Sequence, residues 1–157
     1  MTTARKGNTT EAAVLNALVE RDFAVLVPFG EGHPYDLVVH AEADCFLRVQ
    51  CKTARVQNGC LRFNSRSTDH GRGPGSYVGL ADIFGVYCPA TGWVCLVPVG
   101  DVPRFEVLLR LEPARNNQRR GVRFAADYEI DRWSVESLRT LVSRSRTASE
   151  LALLPAS

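Results

Sequence analysis

Two short stretches, Pro34-Tyr35-Asp36 and Gln50-Cys51-Lys52, carry a carboxylate, an amide and an ammonium at a spacing that one β-hairpin can gather. Such a set suits phosphodiester hydrolysis. Acidic and neutral oxygens hold a hard divalent cation, and a lysine attracts the phosphate and orients water. Tyr35 to Ala41 and Cys45 to Thr53 read as two strands joined by a short polar connection at Glu42-Ala43-Asp44, so they should pair antiparallel. With the loop centred on Ala43, Asp36 lies opposite Gln50, and Lys52 is one same-face step further. A register slipped by one residue would break up the cluster. The apolar pattern agrees with the centred register: Leu37, Val39, Leu47, Val49 and Cys51 share one face, and Asp36, Arg48, Gln50 and Lys52 the other.

The elements that must position this hairpin are legible in outline. Asn8-Thr9-Thr10-Glu11 has the form of a capping box, opening a helix to about Arg21 with Val14, Leu15, Leu18 and Val19 as its apolar stripe. Glu11 then reads in two ways, as the cap's own partner or as an inward carboxylate three and four residues ahead of Val14 and Leu15. Ala24 to Val27 is a short strand. Cys60 to Asn64 is a further one, entered through the Asn58-Gly59 turn. Residues 65–76 lack apolar periodicity and are expected to form a mobile loop. Ile83 to Cys88 and Trp93 to Pro98 form a second hairpin, Glu106 to Leu111 an edge strand, and Arg115 to Arg120 a polar loop. A helix capped by Ser134 runs from Val135 to about Arg144. One domain over residues 1–144 is expected, with residues 145–157 a tail that is disordered or an oligomer contact.

The order Glu11, Pro34-Tyr35-Asp36, Gln50-Cys51-Lys52 resembles the PD-(D/E)xK nuclease superfamily, and most closely its group I intron-associated homing endonuclease branch. Lys6-Gly7-Asn8, Pro28-Phe29-Gly30-Glu31, Gln50-Cys51-Lys52-Thr53-Ala54-Arg55, Phe84-Gly85-Val86-Tyr87-Cys88-Pro89 and Asn116-Asn117-Gln118 carry the likeness, which covers roughly residues 5 to 128. It implies an α/β restriction-endonuclease-like fold with a mixed β-sheet flanked by helices. The implied activity is Mg²⁺- or Mn²⁺-dependent cleavage of double-stranded DNA, of the site-specific homing type. A structure-selective nuclease such as a Holliday-junction resolvase and a catalytically silent DNA-binding module stay open.

The resemblance also implies roles. Asp36 would ligate the metal directly, the Gln50 side-chain oxygen and the Cys51 backbone carbonyl would add neutral oxygens, and Glu11 would reach the ion directly or through water. Lys52 would stand beside the attacking water and the scissile phosphate. Gln50 departs from the superfamily's usual acidic residue, so the site carries one negative charge fewer and metal affinity should fall. An ordinary cross-strand ion pair between Asp36 and Lys52 is the plainer reading of those two residues.

Charge is informative once mapped. The net charge is +2, yet residues 48–72 hold Arg48, Lys52, Arg55, Arg62, Arg66 and Arg72 against Asp69, a window of +5 against −3 elsewhere. Arg55, Arg62, Arg66 and Arg72 are therefore expected to bind phosphate. Asn116, Gln118, Arg119, Arg120 and Arg123 are expected to read bases, since Asn/Gln amides match adenine and Arg forks match guanine. The five cysteines lack CxxC spacing and read as reduced thiols. Gly71-Arg72-Gly73-Pro74-Gly75 lacks a P-loop's lysine and Ser/Thr, which excludes a nucleotide cofactor of that type. His33, His40 and His70 are weaker candidates, and His33 is most simply a hydrogen-bonded loop residue. No apolar run approaches the roughly 18 to 20 residues of a membrane span and no signal pattern opens the chain, so a cytoplasmic protein is expected. A small domain that must cut two strands is expected to act as a homodimer or homotetramer.

Overall fold

The computed structural model describes residues 2–42, 44–69, 73–113 and 120–152. Helix α1 spans Thr3–Val19, and the strands are β1 Ala24–Leu26, β2 Leu37–Glu42, β3 Cys45–Thr53, β4 Arg55–Gln57, β5 Cys60–Asn64, β6 Arg66–Asp69, β7 Gly73–Ser76, β8 Ile83–Cys88, β9 Trp93–Pro98 and β10 Glu106–Arg110. Helix α2, Val135–Ala152, follows. A five-stranded mixed sheet runs β1-β2-β3-β8-β9, with β3 and β8 parallel and its other pairs antiparallel. A second sheet runs β10-β5-β4, and β6 and β7 form a separate hairpin.

Three layers result. Helix α1 lies over β3 and β8, and α2 over β2 and β3. Val14 and Leu18 of α1 and Leu138 of α2 pack on Leu37, Val39, Leu47, Val49, Ile83 and Leu96. On the opposite face Phe84, Val86, Cys95 and Val97 meet Leu61, Phe63, Val107 and Leu109 of the smaller sheet. Strands β8 and β9 are thus covered on both faces, which explains their near-continuous apolar sequences.

The parallel β3–β8 pair is held at its start by a two-toothed clamp. Arg48 Nε and Nη2 donate to Asp82 Oδ2 and Oδ1 at 3.0 Å each, and the Arg48 amide adds a bond of 2.8 Å to Oδ2. One position on β8 has no room for a side chain. A Cβ on Gly85 would meet Val14 Cγ1 at 2.7 Å and Val49 Cγ1 at 3.0 Å. The glycine lets α1 press onto the sheet beside Cys51, its partner on β3.

Several elements depart from what the sequence suggests. Helix α1 begins at Thr3, not near Asn8, because the Thr2 side chain already accepts from the Arg5 amide and helix-forming residues follow. Thr9, which reads as part of a capping box, instead donates its hydroxyl back to the Arg5 carbonyl at 2.9 Å from inside the helix. The buried stripe is Thr10, Val14, Ala17 and Leu18, and Val19 is exposed. The segment expected as a mobile loop holds the paired strands β6 and β7, from Arg66↔Ser76 to Asp69↔Gly73. Its order comes from backbone pairing and from the buried flanking residues Ser65 and Tyr77, neither of which produces apolar periodicity. Helix α2 is capped by Ser134 as expected, with the Ser137 amide donating to its hydroxyl at 3.2 Å, but runs to Ala152 and not to about Arg144. No Gly or Pro interrupts that stretch before Pro155. The hairpin β8–β9, strand β5 with Asn58 and Gly59 both at positive φ before it, and edge strand β10 fall where the sequence places them.

Gly85→Ala should therefore destabilise the fold by about 1–3 kcal/mol through overpacking against Val14 and Val49. Urea denaturation measures this, and Val14→Ala in the same background should recover part of the loss; unchanged stability would show that α1 does not close on β8.

Candidate active site

The register of β2 on β3 brings the site together. Leu37↔Val49, Val38↔Arg48, Val39↔Leu47 and His40↔Phe46 all keep the expected pairing, but it ends there: the Asp36 amide donates to the Val49 carbonyl at 2.9 Å, so Asp36 lies beside Leu37 against Val49 and is not paired with Gln50 in the ladder. The reason differs from the sequence argument. The closing pair is Glu42↔Cys45, which leaves only two residues in the connection, and a bulge between His40 and Glu42 inserts Ala41 to restore the register. Glu42 sits at φ 131°, a backbone conformation that side-chain-bearing residues rarely adopt.

Asp36 therefore projects where β3 runs on past the start of β2. Its Oδ2 accepts from the Cys51 amide at 2.7 Å and from Gln50 Nε2 at 2.6 Å. The same Nε2 donates to the Cys51 carbonyl at 3.3 Å. The Gln50 amide thus meets the other two oxygen donors through its NH₂ group, so its own oxygen would face an ion only after the amide turns over. Burial raises the Asp36 carboxyl above its ordinary range, against the lowering effect of the Cys51 amide and of Lys52. Burial and the nearby Asp36 charge both raise Glu11. The Cys51 thiol is raised well above normal by burial and by Asp36 and Glu11, which keeps it protonated and leaves its carbonyl as the available ligand. On α1, Thr10 shares a 2.5 Å hydrogen bond with Thr53, fixing the helix turn that carries Glu11 against the end of β3.

Lys52 does not make the cross-strand ion pair with Asp36 that its spacing allows. Its Nζ donates to the Arg66 carbonyl at 3.0 Å and the Tyr77 hydroxyl at 3.2 Å, and lies 4.4 Å from the Tyr77 ring centre. Burial draws the ammonium down to about 8, with Asp36 opposing that shift. Nothing in the sequence pattern around Tyr77 signals this contact. Only the β6–β7 pairing, which no periodicity announces, brings it beside Lys52.

Oxygen chemistry dominates the donor set: a carboxylate, a backbone carbonyl, an amide and a second carboxylate within electrostatic reach. These fit a hard divalent cation such as Mg²⁺ or Mn²⁺. Among the described residues no three His, Cys, Asp or Glu side chains cluster as a metal site.

The expected DNA-binding residues separate. Arg55, Arg62 and Arg66 line one open groove of ≈ 500 Å³ with Lys6, Thr53, Phe105 and Glu106. Arg62 is tied to Glu106 and to the Gln57 side chain, and Arg66 lies 4.8 Å from the Phe105 ring. Arg120 is exposed, whereas Arg123 donates to the Asp101 carbonyl at 3.0 Å. Arg72, Asn116, Gln118, Arg119 and His70 lie outside the described residues. His33 bonds the Phe29 carbonyl and His40 stacks on Phe46, as loop and strand residues do. All five cysteines are free thiols. No described helix is long and apolar enough to cross a membrane.

Comparison with known proteins agrees with this geometry. A family model described as PD-(D/E)XK endonuclease matches residues 1–131. Comparison with curated proteins finds no match. Among solved structures, the bacterial homing endonuclease I-Ssp6803I is similar with a TM-score of 0.67 at 20% identity, over 94% of this chain and 97% of that one. At this identity the likeness speaks for the fold.

The depressed Lys52 pKa carries a stability consequence. The fold disfavours the ammonium, so the penalty is complete below about 8 and fades as pH rises from there toward the ordinary value of 10.5. Lys52→Met should accordingly stabilise the protein at pH 7 by about 1–3 kcal/mol. The gain should shrink near pH 10. Urea titrations of both proteins at the two pH values check the sign.

Proposed function

Because the chain belongs to the PD-(D/E)XK endonuclease family, we propose that it hydrolyses phosphodiester bonds of double-stranded DNA with Mg²⁺ or Mn²⁺ bound at Asp36, Gln50, Cys51 and Glu11. The observation that carries this reading is the convergence of Gln50 Nε2 and the Cys51 amide on Asp36 Oδ2, with Lys52 next along the same strand. The homing type is supported by the shared fold and near-complete mutual coverage with I-Ssp6803I. A single nuclease domain over residues 1–144 would carry the activity. Assembly as a homodimer or homotetramer would supply one site per strand, with the tail from residue 145 available as a contact.

The residues divide the work by charge. Asp36 and Glu11 bring anionic oxygens, and the Cys51 carbonyl and Gln50 amide bring neutral ones. The bound ion supplies Lewis-acid stabilisation of charge developing on the phosphate. Asp36 is kept in place by the Cys51 amide, so its second oxygen is left to the ion. Lys52 holds a positive charge beside the reacting phosphate and orients the water that attacks it. The surrounding Tyr77 and Phe84 rings exclude bulk water and strengthen that charge's effect. Arg55, Arg62, Arg66 and Arg72 would supply phosphate contacts, and Asn116, Gln118, Arg119, Arg120 and Arg123 would read bases.

Plasmid nicking with Mg²⁺ or Mn²⁺, and EDTA as control, tests the assignment. Asp36→Ala should abolish nicking and lose Mn²⁺ binding by calorimetry, whereas Lys52→Ala should abolish nicking and keep it. Folded variants that cut at the wild-type rate would end the reading. Gln50→Glu should tighten Mn²⁺ binding, because a charge enters the ligand set; unchanged binding would place Gln50 away from the ion. Cleavage by the wild type at subsaturating DNA, which reports the free protein, should fall as pH rises past about 8, where Lys52 loses its proton before substrate binds. A rate that keeps climbing through pH 9 would contradict an ammonium role.

A further inference from the structure

The basic groove beside the site has a feature that phosphate binding does not call for. Phe105 is 62% exposed at its edge, an apolar ring among Lys6, Arg55, Arg62 and Arg66. The ring stands on an anchored backbone. Its carbonyl accepts from the Ser65 amide at 3.0 Å, and buried Ser65 ties the chain again through its hydroxyl to the Pro103 carbonyl at 2.6 Å. The Arg66 guanidinium lies 4.8 Å from the ring centre, and the Arg66 carbonyl is the acceptor for Lys52 Nζ. One residue therefore links the exposed ring to the ammonium of the site.

Cations crowd around this ring more than their carboxylate partners allow. Arg55 stands directly across the ladder from Arg62, a like-charge pair that costs stability unless an anion lies between. Among the described residues Glu106 is the one carboxylate lining the groove, and it is already bound to Arg62. The groove thus offers separated positive charges for consecutive phosphates and one rigid aromatic face with a guanidinium against it. Those are the elements of a single-strand track, in which phosphates follow the cations and a base stacks on the ring. A base inside an intact duplex has both faces occupied by its neighbours and gains nothing from Phe105.

We propose that Phe105 and Arg66 form a stacking platform for an unpaired base of the DNA strand that runs through the groove next to the cleavage site. The platform rests on the nuclease reading above and adds that the substrate is locally unpaired when held. It makes Phe105 a specificity-determining residue for distorted, gapped or single-stranded flanks.

The test uses the full-length protein in EDTA, so binding is measured without cleavage. Two oligonucleotide probes share one sequence: a continuous duplex, and a duplex with a three-nucleotide single-stranded gap carrying 2-aminopurine. Wild-type protein should bind the gapped probe more tightly and change the 2-aminopurine emission. Phe105→Leu, which keeps an apolar side chain but no ring, should weaken gapped-probe binding roughly 5- to 150-fold and remove the emission change. Continuous-duplex affinity should move less than about twofold. Phe105→Tyr should retain the wild-type pattern, which separates lost stacking from lost folding. Equal losses on both probes, no loss on either, or a wild type indifferent to the gap would each overturn the platform. Nicking of plasmid by the wild type reads the nuclease assignment separately, so failure of one idea does not pass for failure of the other.

Discussion

One residue too many in β2 decides where the chemistry can occur. The Glu42↔Cys45 closure taken alone would set Asp36 opposite Cys51, and residues directly opposite in an antiparallel pair project to the same side. The carboxylate would then point at the helix layer beside Val14 and Val49. The bulge at Ala41 moves the ladder back by one, returning Asp36 to the face of Gln50 and Lys52 and Leu37 to the core. Strain at Glu42, of the order of 1–3 kcal/mol for such a backbone, is offset by the burial of Leu37, Val39, Leu47 and Val49 in this register alone. Hydrophobic burial and site assembly are therefore the same constraint, and no slipped hairpin keeps one without the other.

Helix α1 meets this hairpin through two contacts of different kinds. Apolar contact at Gly85 sets how close the helix comes, while the Thr10–Thr53 hydrogen bond sets how it is rotated. Glu11 follows Thr10 directly and inherits both, so its proximity to Asp36 is determined by packing rather than by any bond of its own. The result is two carboxyl groups raised toward protonation by burial and, for Glu11, by its neighbour. Such a pair repels itself when empty and attracts a cation when ionised. Replacing the superfamily's usual acid by Gln50 relieves some of that repulsion, since the NH₂ group of the amide bonds both Asp36 and the Cys51 carbonyl.

Much of this was readable from residues alone, and the exceptions have physical causes. Hairpin β8–β9 and strand β5 announced themselves through apolar runs bounded by turn residues, and the register of Leu37 on Val49 followed from which face must be apolar. The bulge was invisible because Ala41 and Glu42 look like any strand end. Polar residues at Asn8 to Glu11 imitated a cap although the true one, Thr2, has equal chemistry and comes first. Strands β6 and β7 could not be found by periodicity, since backbone pairing holds them and not a buried face. With that hairpin unseen, neither Tyr77 beside Lys52 nor Phe105 beside Arg66 could be suspected. Both partners depend on segments distant in sequence that meet only when the smaller sheet folds over.

The setting of Lys52 shows why the site is built against its own stability. An ammonium paired with Asp36 would be comfortable and inert, with its charge neutralised and its geometry set by a carboxylate that a bound metal would also need. Here the charge is held instead by a carbonyl, a phenol hydroxyl and an aromatic face, none of which cancels it. Burial depresses the ammonium to about 8, and the nearby Asp36 charge only partly opposes this. A phosphate arriving along the groove of Arg55, Arg62 and Arg66, as proposed, would add a counter-charge and restore the lysine toward its ordinary basicity. On the proposed reading, a positive charge held in the empty protein without a bonded carboxylate would let that lysine favour an anionic transition state over water.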